Sequence, residues 1–152
     1  MTKIAINGFG RIGRHFLKLA IDRPELEIVA INDLGDLAYL AHLLKYDSAY
    51  GRYNKEVKVE NGKLKVDGKE IIFLQEKDAT KLPWGTLGVD IVIESTGVFE
   101  SFEKAAVHKQ AGAKRVVLTA PSKDADTADA KTVLMGINGD DLKTCSMSSN
   151  GS

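Results

Sequence analysis

Three glycines near the start of the chain have the spacing of a phosphate-binding turn. In the stretch NGFGRIGR, Gly8, Gly10 and Gly13 form the pattern G-x-G-x-x-G, after an apolar run and at the start of a helical pattern. Gly8 would permit a tight strand-to-helix turn, Gly10 would let a pyrophosphate approach the backbone, and Gly13 would allow close packing of helix on strand. The free N–H groups and positive dipole end of the helix would face the phosphates. The pattern predicts a dinucleotide site.

An acidic residue, Asp33, ends the next apolar run, 20 residues after Gly13. A carboxylate there accepts hydrogen bonds from the adenosine ribose hydroxyls and repels a 2′-phosphate, which favours NAD over NADP. The glycine pattern alone has low specificity, and the alternative is that the glycines only shape a turn while Asp33 caps the next element. The stretches ESTG and LTAP follow two further apolar runs, so we expect them to border the cofactor at the carboxyl ends of parallel strands.

The elements that position these residues follow from hydrophobic periodicity. Short apolar runs predict buried parallel strands, and apolar residues at helical spacing predict helices. The predicted parallel strands are 3–7, 26–33 and 89–96, with two more in KRVVLTAP and KTVLMGIN, and the predicted helices are 11–21, 36–46 and 102–111.

The middle of the chain alternates apolar and polar residues instead. We predict three antiparallel strands, at 55–60, 63–66 and 69–75, as an excursion from the main sheet. Asn61-Gly62 and Asp67-Gly68 lie between them, where type I′ turns need positive φ. The element order predicts an α/β fold: a Rossmann-type doubly wound, mostly parallel sheet with an antiparallel β-hairpin insertion.

Composition limits the classes of function. The 152 residues fit one domain, 43% are hydrophobic, and the formal net charge is zero, so neither nucleic acid nor an anionic membrane is an expected partner. No run approaches the roughly 18 consecutive apolar residues of a membrane span, and no signal peptide is evident. A single cysteine excludes an internal disulfide, which suits a cytoplasmic protein. The acidic residues at 124–141 are interpreted as solvated loop charge, so no metal site is predicted.

The order of longer motifs is more specific than any one pattern. INGFGRIGR, AINDL, HLLKYDSAYGR, LPW, VDIVIESTGVF, AGAKRVVLTAPSKD and MGIN occur in this order. Over nearly all of its 152 residues the chain resembles the N-terminal, NAD-binding half of the phosphorylating glyceraldehyde-3-phosphate dehydrogenases.

The resemblance implies a set of NAD-binding residues. The pyrophosphate turn would comprise Asn7, Gly8, Phe9, Gly10, Arg11 and Ile12. Asp33 would bind the adenosine ribose, and Leu34 beside it is typical of NAD-using members. Thr96, Gly97 and Phe99 would form the wall beside the adenine. Thr119 would lie towards the nicotinamide. Lys77 stands where the family usually has an arginine at the adenine edge, and a lysine lacks the planar face for stacking. Ser152 would lie on the substrate side.

The resemblance also implies the chemistry of the parent enzyme. That enzyme, in the family a homotetramer, converts D-glyceraldehyde 3-phosphate to 1,3-bisphosphoglycerate in glycolysis while reducing NAD. The family's catalytic cysteine would directly follow Ser152, and Cys145 lies eight positions too early for that function. We therefore predict no catalytic residue and no catalytic domain within the 152 residues, and no activity of these residues by themselves. The alternatives are part of an erythrose-4-phosphate dehydrogenase, or a non-catalytic dinucleotide-binding or interaction module.

Overall fold

A computed structural model describes residues 1–151, and its centre is one nine-stranded sheet. The strands are β1 (Thr2–Asn7), β2 (Leu26–Asn32), β3 (Tyr46–Asp47), β4 (Gly51–Arg52), β5 (Val57–Glu60), β6 (Lys63–Val66), β7 (Lys69–Leu74), β8 (Ile91–Glu94), β9 (Arg115–Leu118), β10 (Ala130–Thr132) and β11 (Met147–Ser149). The helices are α1 (Arg11–Ala20), α2 (Leu37–Lys45), α3 (Trp84–Leu87), α4 (Phe102–Ala105) and α5 (Val107–Gln110), with 3₁₀ turns at Ala79–Lys81 and Gly139–Lys143.

The sheet is doubly wound about β1. Its strand order is β10-β11-β9-β8-β1-β2-β7-β6-β5, and β1 pairs in parallel with both β2 and β8. The chain first builds the sheet outward through β2 and β7, then returns to the other side of β1 with β8 and β9. The order of strands therefore reverses between β1 and β8, which is where such sheets open a ligand crevice. This arrangement confirms the predicted fold class.

The alternating segment forms the three predicted antiparallel strands. Both turns have positive φ, at Asn61 (52°) and Gly62 (71°) and at Asp67 (47°) and Gly68 (80°), as type I′ turns require. The prediction that this segment leaves the main sheet is wrong. β7 pairs in parallel with β2, and β6 and β5 continue the same sheet to its edge. Side-chain alternation reports which face is buried, whereas the pairing partner is set by the rest of the fold.

Several other elements differ from the sequence prediction. The predicted helix at 102–111 is divided at Ala106 into α4 and α5. In KTVLMGIN only the start pairs as β10, because the Asn138 side chain bonds the backbone of Leu134 and Thr132 and closes a turn. The short pair β3–β4 was not predicted, and its turn is held by Asp47, which accepts hydrogen bonds from two backbone N–H groups.

Alternation along β1 divides the core into two faces. Ile4 and Ile6 pack on the side of α1 and α2, while Ala5 faces the opposite side, which holds Trp84. The indole belongs to the same buried cluster as Ala5 and Ala30, whose small side chains leave room for a large ring on this face of the sheet. Among residues 1–151, no helix has both the length and the apolar character needed to cross a membrane.

Candidate dinucleotide site

A cleft of about 430 Å³ opens at the carboxyl ends of β1, β2 and β8. It lies at the point where the strand order reverses, so its position is that of a ligand crevice in a doubly wound sheet. The cleft is lined by Asn7, Gly8, Gly10, Asn32, Asp33, Leu34, Glu76, Lys77, Ala79, Ser95, Thr96, Val98 and Phe99.

The three glycines of the turn meet three different surroundings. Gly8 has φ +95°, and a Cβ there would lie 2.6 Å from the backbone nitrogen of Thr96. A Cβ on Gly13 would overlap the carbonyl oxygen of Gly8, so α1 packs directly on the turn. A Cβ on Gly10 would meet no atom within 4 Å, and Gly10 is exposed at the cleft. Two glycines are thus required by the protein's own packing, whereas Gly10 borders open space that a ligand can fill.

The N-terminus of α1 faces this open space. Its first intrahelical bond joins Arg14 N–H to Gly10 C=O (3.1 Å), and within residues 1–151 no side chain caps its first N–H groups. These groups and the helix dipole together favour an anion. The guanidinium of Arg14 braces the turn by donating to Phe9 C=O (2.9 Å), and its partial burial lowers the pKa of Arg14 from its usual value.

Asp33 lies half-buried at the rim of the cleft, directly after β2. Its Oδ2 accepts from the backbone N–H of Phe9 (2.6 Å), and its Oδ1 accepts from the N–H of Gly35 (2.8 Å). Each carboxylate oxygen has a second lone pair, so Asp33 can still accept from two hydroxyl groups. The same residue therefore fixes the glycine turn against β2 and presents a charge to the cleft.

Beneath the cleft, buried amides join neighbouring strands. The Asn7 side chain accepts from Asn32 Nδ2 (2.8 Å) through Oδ1 and donates to Glu94 Oε2 (2.7 Å) through Nδ2. Asn32 also bonds both backbone groups of Glu76, donating to its C=O (2.9 Å) and accepting from its N–H (2.9 Å). On the other side, Glu94 Oε1 accepts from the backbone and hydroxyl of Thr96. The loops that form the two walls are thus tied to the floor.

The structure brings most of the predicted site residues together. Eight of them line the cleft: Asn7, Gly8, Gly10, Asp33, Leu34, Lys77, Thr96 and Phe99. Arg11 and Ile12 lie exposed on the first turn of α1, beside Gly10, and Gly97 is exposed in the loop after β8. Phe9 is fully buried, so it reaches the site only through its backbone, and that N–H is already bonded to Asp33.

The predicted residue Thr119 lies outside the lining of the cleft, and five lining residues were not among the predicted site residues. Thr119 directly follows β9, and its hydroxyl donates to the backbone carbonyl of Glu94 outside the lining of the cleft. Ser152 lies outside the described residues. The predicted site residues did not include Asn32, Glu76, Ala79, Ser95 and Val98, and of these only Ser95 was covered by the expectation that ESTG borders the cofactor. For Asn32 a signal existed, since an amide at the end of a buried apolar strand needs a polar partner.

Together, a glycine turn opening a helix at the reversal point of a doubly wound sheet, and a carboxylate after the second strand, define a dinucleotide-binding α/β protein. Residues 2–102 match the family described as the glyceraldehyde 3-phosphate dehydrogenase NAD binding domain. The chain belongs to this family, and its cofactor is NAD.

Relatives named glyceraldehyde-3-phosphate dehydrogenase match almost the whole chain. The protein from Clostridium pasteurianum is 53% identical over 142 residues, which are 93% of this chain and 41% of that protein. That from Thermotoga maritima is 54% identical over 145 residues, or 94% and 42%. Glyceraldehyde-3-phosphate dehydrogenase 1 of Kluyveromyces lactis is 50% identical over 153 residues, or 100% and 45%. The chain thus spans less than half the length of these relatives.

Proposed function

We propose that residues 1–152 are the NAD-binding domain of a phosphorylating glyceraldehyde-3-phosphate dehydrogenase, with the catalytic domain outside them. The observation that carries this proposal is the combination of the open space at Gly10, the uncapped N-terminus of α1 and the carboxylate of Asp33 around one cleft. The names of the relatives support the choice of enzyme.

Each part of NAD can be assigned to residues in or beside the cleft. Gly10, Arg11 and Ile12 would present backbone N–H groups to the pyrophosphate, which needs the space that a Cβ on Gly10 would fill. Asp33 would accept from the adenosine ribose hydroxyls. The adenine would lie between Leu34 and Lys77 on one wall and Thr96, Gly97 and Phe99 on the other. Thr119 would lie towards the nicotinamide, and Ser152 towards the substrate.

In the complete enzyme we propose that bound NAD accepts a hydride from D-glyceraldehyde 3-phosphate, with formation of 1,3-bisphosphoglycerate. This chain would hold and orient the cofactor, while the covalent step needs a nucleophile and base supplied from outside it. We further propose a cytoplasmic homotetramer, as the family resemblance implies. No observation favours erythrose 4-phosphate as the substrate.

Titration calorimetry tests the binding function directly. We expect one NAD to bind per chain. The affinity for NADP should be lower by about tenfold or more, because Asp33 repels the 2′-phosphate and loses the hydrogen bond to the ribose 2′-hydroxyl. A chain that binds neither nucleotide would favour the interaction module instead. Equal affinities for NAD and NADP would show that Asp33 does not contact the ribose hydroxyls.

The 152 residues by themselves are expected to show no dehydrogenase activity. Incubation with NAD, glyceraldehyde 3-phosphate and phosphate should give no absorbance of reduced cofactor at any protein concentration, because Cys145 is buried and lies outside the cleft. Reduction of NAD that survives replacement of Cys145 by serine would place a different nucleophile in the chain.

Substitution of Lys77 is expected to have a small effect. Its side chain is exposed at the rim, so Lys77→Ala should change the dissociation constant for NAD by no more than about threefold. Lys77→Arg is the matched variant, and it should bind NAD slightly more tightly if a planar guanidinium stacks on the adenine. A loss of tenfold or more in Lys77→Ala would assign Lys77 a direct contact with a phosphate.

A further inference from the structure

The buried carboxyl group of Glu94 lies behind the cleft, and the proposed NAD contacts do not involve it. Glu94, His108 and Trp84 are 3%, 0% and 0% exposed, and none of them lines the cleft. Burying a carboxylate is costly unless hydrogen bonds compensate for the lost water. Here the compensation is complete, because Glu94 accepts four hydrogen bonds: from Thr96 N–H (2.9 Å) and Oγ1 (2.6 Å), from Asn7 Nδ2 (2.7 Å) and from His108 Nε2 (2.6 Å).

The hydrogen bonds around His108 fix which ring nitrogen carries its proton. An indole N–H can only donate, so Trp84 Nε1, at 3.1 Å from His108 Nδ1, makes that ring nitrogen the acceptor. The proton of a neutral imidazole then lies on Nε2 and points at Glu94. Asn7 turns its amide nitrogen to Glu94 because its oxygen accepts from Asn32. The Thr96 N–H, the Asn7 amide nitrogen and His108 Nε2 can therefore only donate to Glu94, and the Thr96 hydroxyl can donate as well, so the four contacts suit a carboxylate that accepts at both oxygens.

The same carboxylate connects the two walls of the cleft. Its Oε1 holds Thr96, whose hydroxyl in turn accepts from the N–H of Val98 (3.0 Å) in the wall loop. Its Oε2 holds Asn7, which reaches the Glu76 backbone of the opposite wall through Asn32. The ring of His108 also packs on that of Phe99, with centroids 5.5 Å apart. A continuous chain of hydrogen bonds thus crosses the floor from one wall to the other.

We propose that Glu94 is a positioning residue for the adenosine half of the cofactor: its buried charge, locked by His108 and Trp84, sets the separation of the Glu76 and Thr96 walls. It touches no ligand and acts through Asn7 and Thr96. Trp84, the single tryptophan, is bonded to the far end of this network and reports its state. The proposal rests on NAD binding in this cleft.

Glu94→Gln tests the charge at nearly constant size. The new amide brings N–H donors to a place surrounded by donors, and His108 can accept from it only by moving its proton to Nδ1, against the indole N–H. We expect the dissociation constant for NAD to rise about tenfold, and the indole ¹H–¹⁵N resonance of Trp84 to move. Leu64→Ala is the control, since Leu64 is buried in β6 away from the cleft: it should lower stability and leave NAD affinity unchanged.

A second substitution separates positioning from general loss of stability. In Glu94→Gln/Trp84→Phe, His108 is free to carry its proton on Nδ1 and to accept from the new amide through Nε2. The double variant should bind NAD about threefold more tightly than Glu94→Gln alone, whereas Trp84→Phe in the wild-type background should give no gain. Equal penalties for Trp84→Phe in both backgrounds would overturn the proposal.

The wild-type chain gives a readout that does not depend on any variant folding. Saturation with NAD should shift the Trp84 indole resonance, although Trp84 lies outside the lining of the cleft, and an unchanged resonance would contradict the coupling. Wild-type affinity in Glu94→Gln would contradict the positioning role while leaving NAD binding intact. If instead the wild-type chain does not bind NAD, the proposed function itself fails.

Discussion

Asp33→Ala is expected to raise the dissociation constant for NAD by about a hundredfold. A hydrogen bond to a charged group contributes about 1.5–3 kcal/mol, and the variant loses those that Asp33 would make to the ribose. It also frees the backbone N–H groups of Phe9 and Gly35, so the glycine turn loses its attachment to β2. Both effects act in the same direction. Titration calorimetry with NAD measures the sum.

A matched aspartate provides the control for this experiment. Asp36 carries the same charge nearby, but it caps α2 by accepting from Tyr39 N–H (2.8 Å) and does not line the cleft. Asp36→Ala should lower the free energy of unfolding by about 1 kcal/mol and leave NAD affinity unchanged. Similar losses of affinity in both variants would mean that net charge, not a ribose contact, determines binding.

The second large effect is expected at Gly13, with Gly10 as its counterpart. Gly13→Ala forces a methyl group onto the carbonyl oxygen of Gly8, and neither backbone can move without displacing α1 or β1. We expect a loss of about 3 kcal/mol in the free energy of unfolding, measured by chemical denaturation. NAD binding should fall as well, since the turn and the N-terminus of α1 shift together.

Gly10→Ala should show the opposite division between stability and binding. Gly10 has φ −72°, which alanine adopts freely, and the added methyl group meets no atom within 4 Å. Stability should therefore change by less than about 0.5 kcal/mol. The methyl group occupies the space where we place the pyrophosphate, so NAD should bind about tenfold more weakly. A stable Gly10→Ala variant that binds NAD with unchanged affinity would show that the pyrophosphate does not lie beside Gly10.

Much of the fold follows from short-range patterns in the sequence. The apolar runs of β1, β2, β8 and β9 indicate strands buried on both faces. The dipeptides that begin at Asn61 and Asp67 indicate the turns between β5, β6 and β7, because the positive φ of these turns is a local requirement. β11 is different, because it consists of one apolar residue, Met147, followed by the polar Ser148 and Ser149. All three residues are nevertheless buried between β9 and β10. Only the neighbouring strands make that segment a strand.

The site divides in the same way. Gly8, Gly10, Gly13 and Asp33 are predictable because a tight turn, a helix N-terminus and a carboxylate impose fixed residue types at fixed spacing. The floor of the cleft is not. His108 follows Glu94 by 14 residues on another element, and Trp84 precedes it on a third, so neither spacing nor periodicity relates them. Tertiary packing brings a histidine and an indole together, and their hydrogen bonds become evident only in the structure.

A crystal structure of this chain with NAD tests the central claim most directly. We predict the pyrophosphate at the N–H groups of Gly10, Arg11 and Ile12, the adenosine ribose hydroxyls on Asp33, and the adenine between the walls at Lys77 and Phe99. NAD bound with its ribose away from Asp33, or in another part of the molecule while this cleft stays empty, would contradict the account.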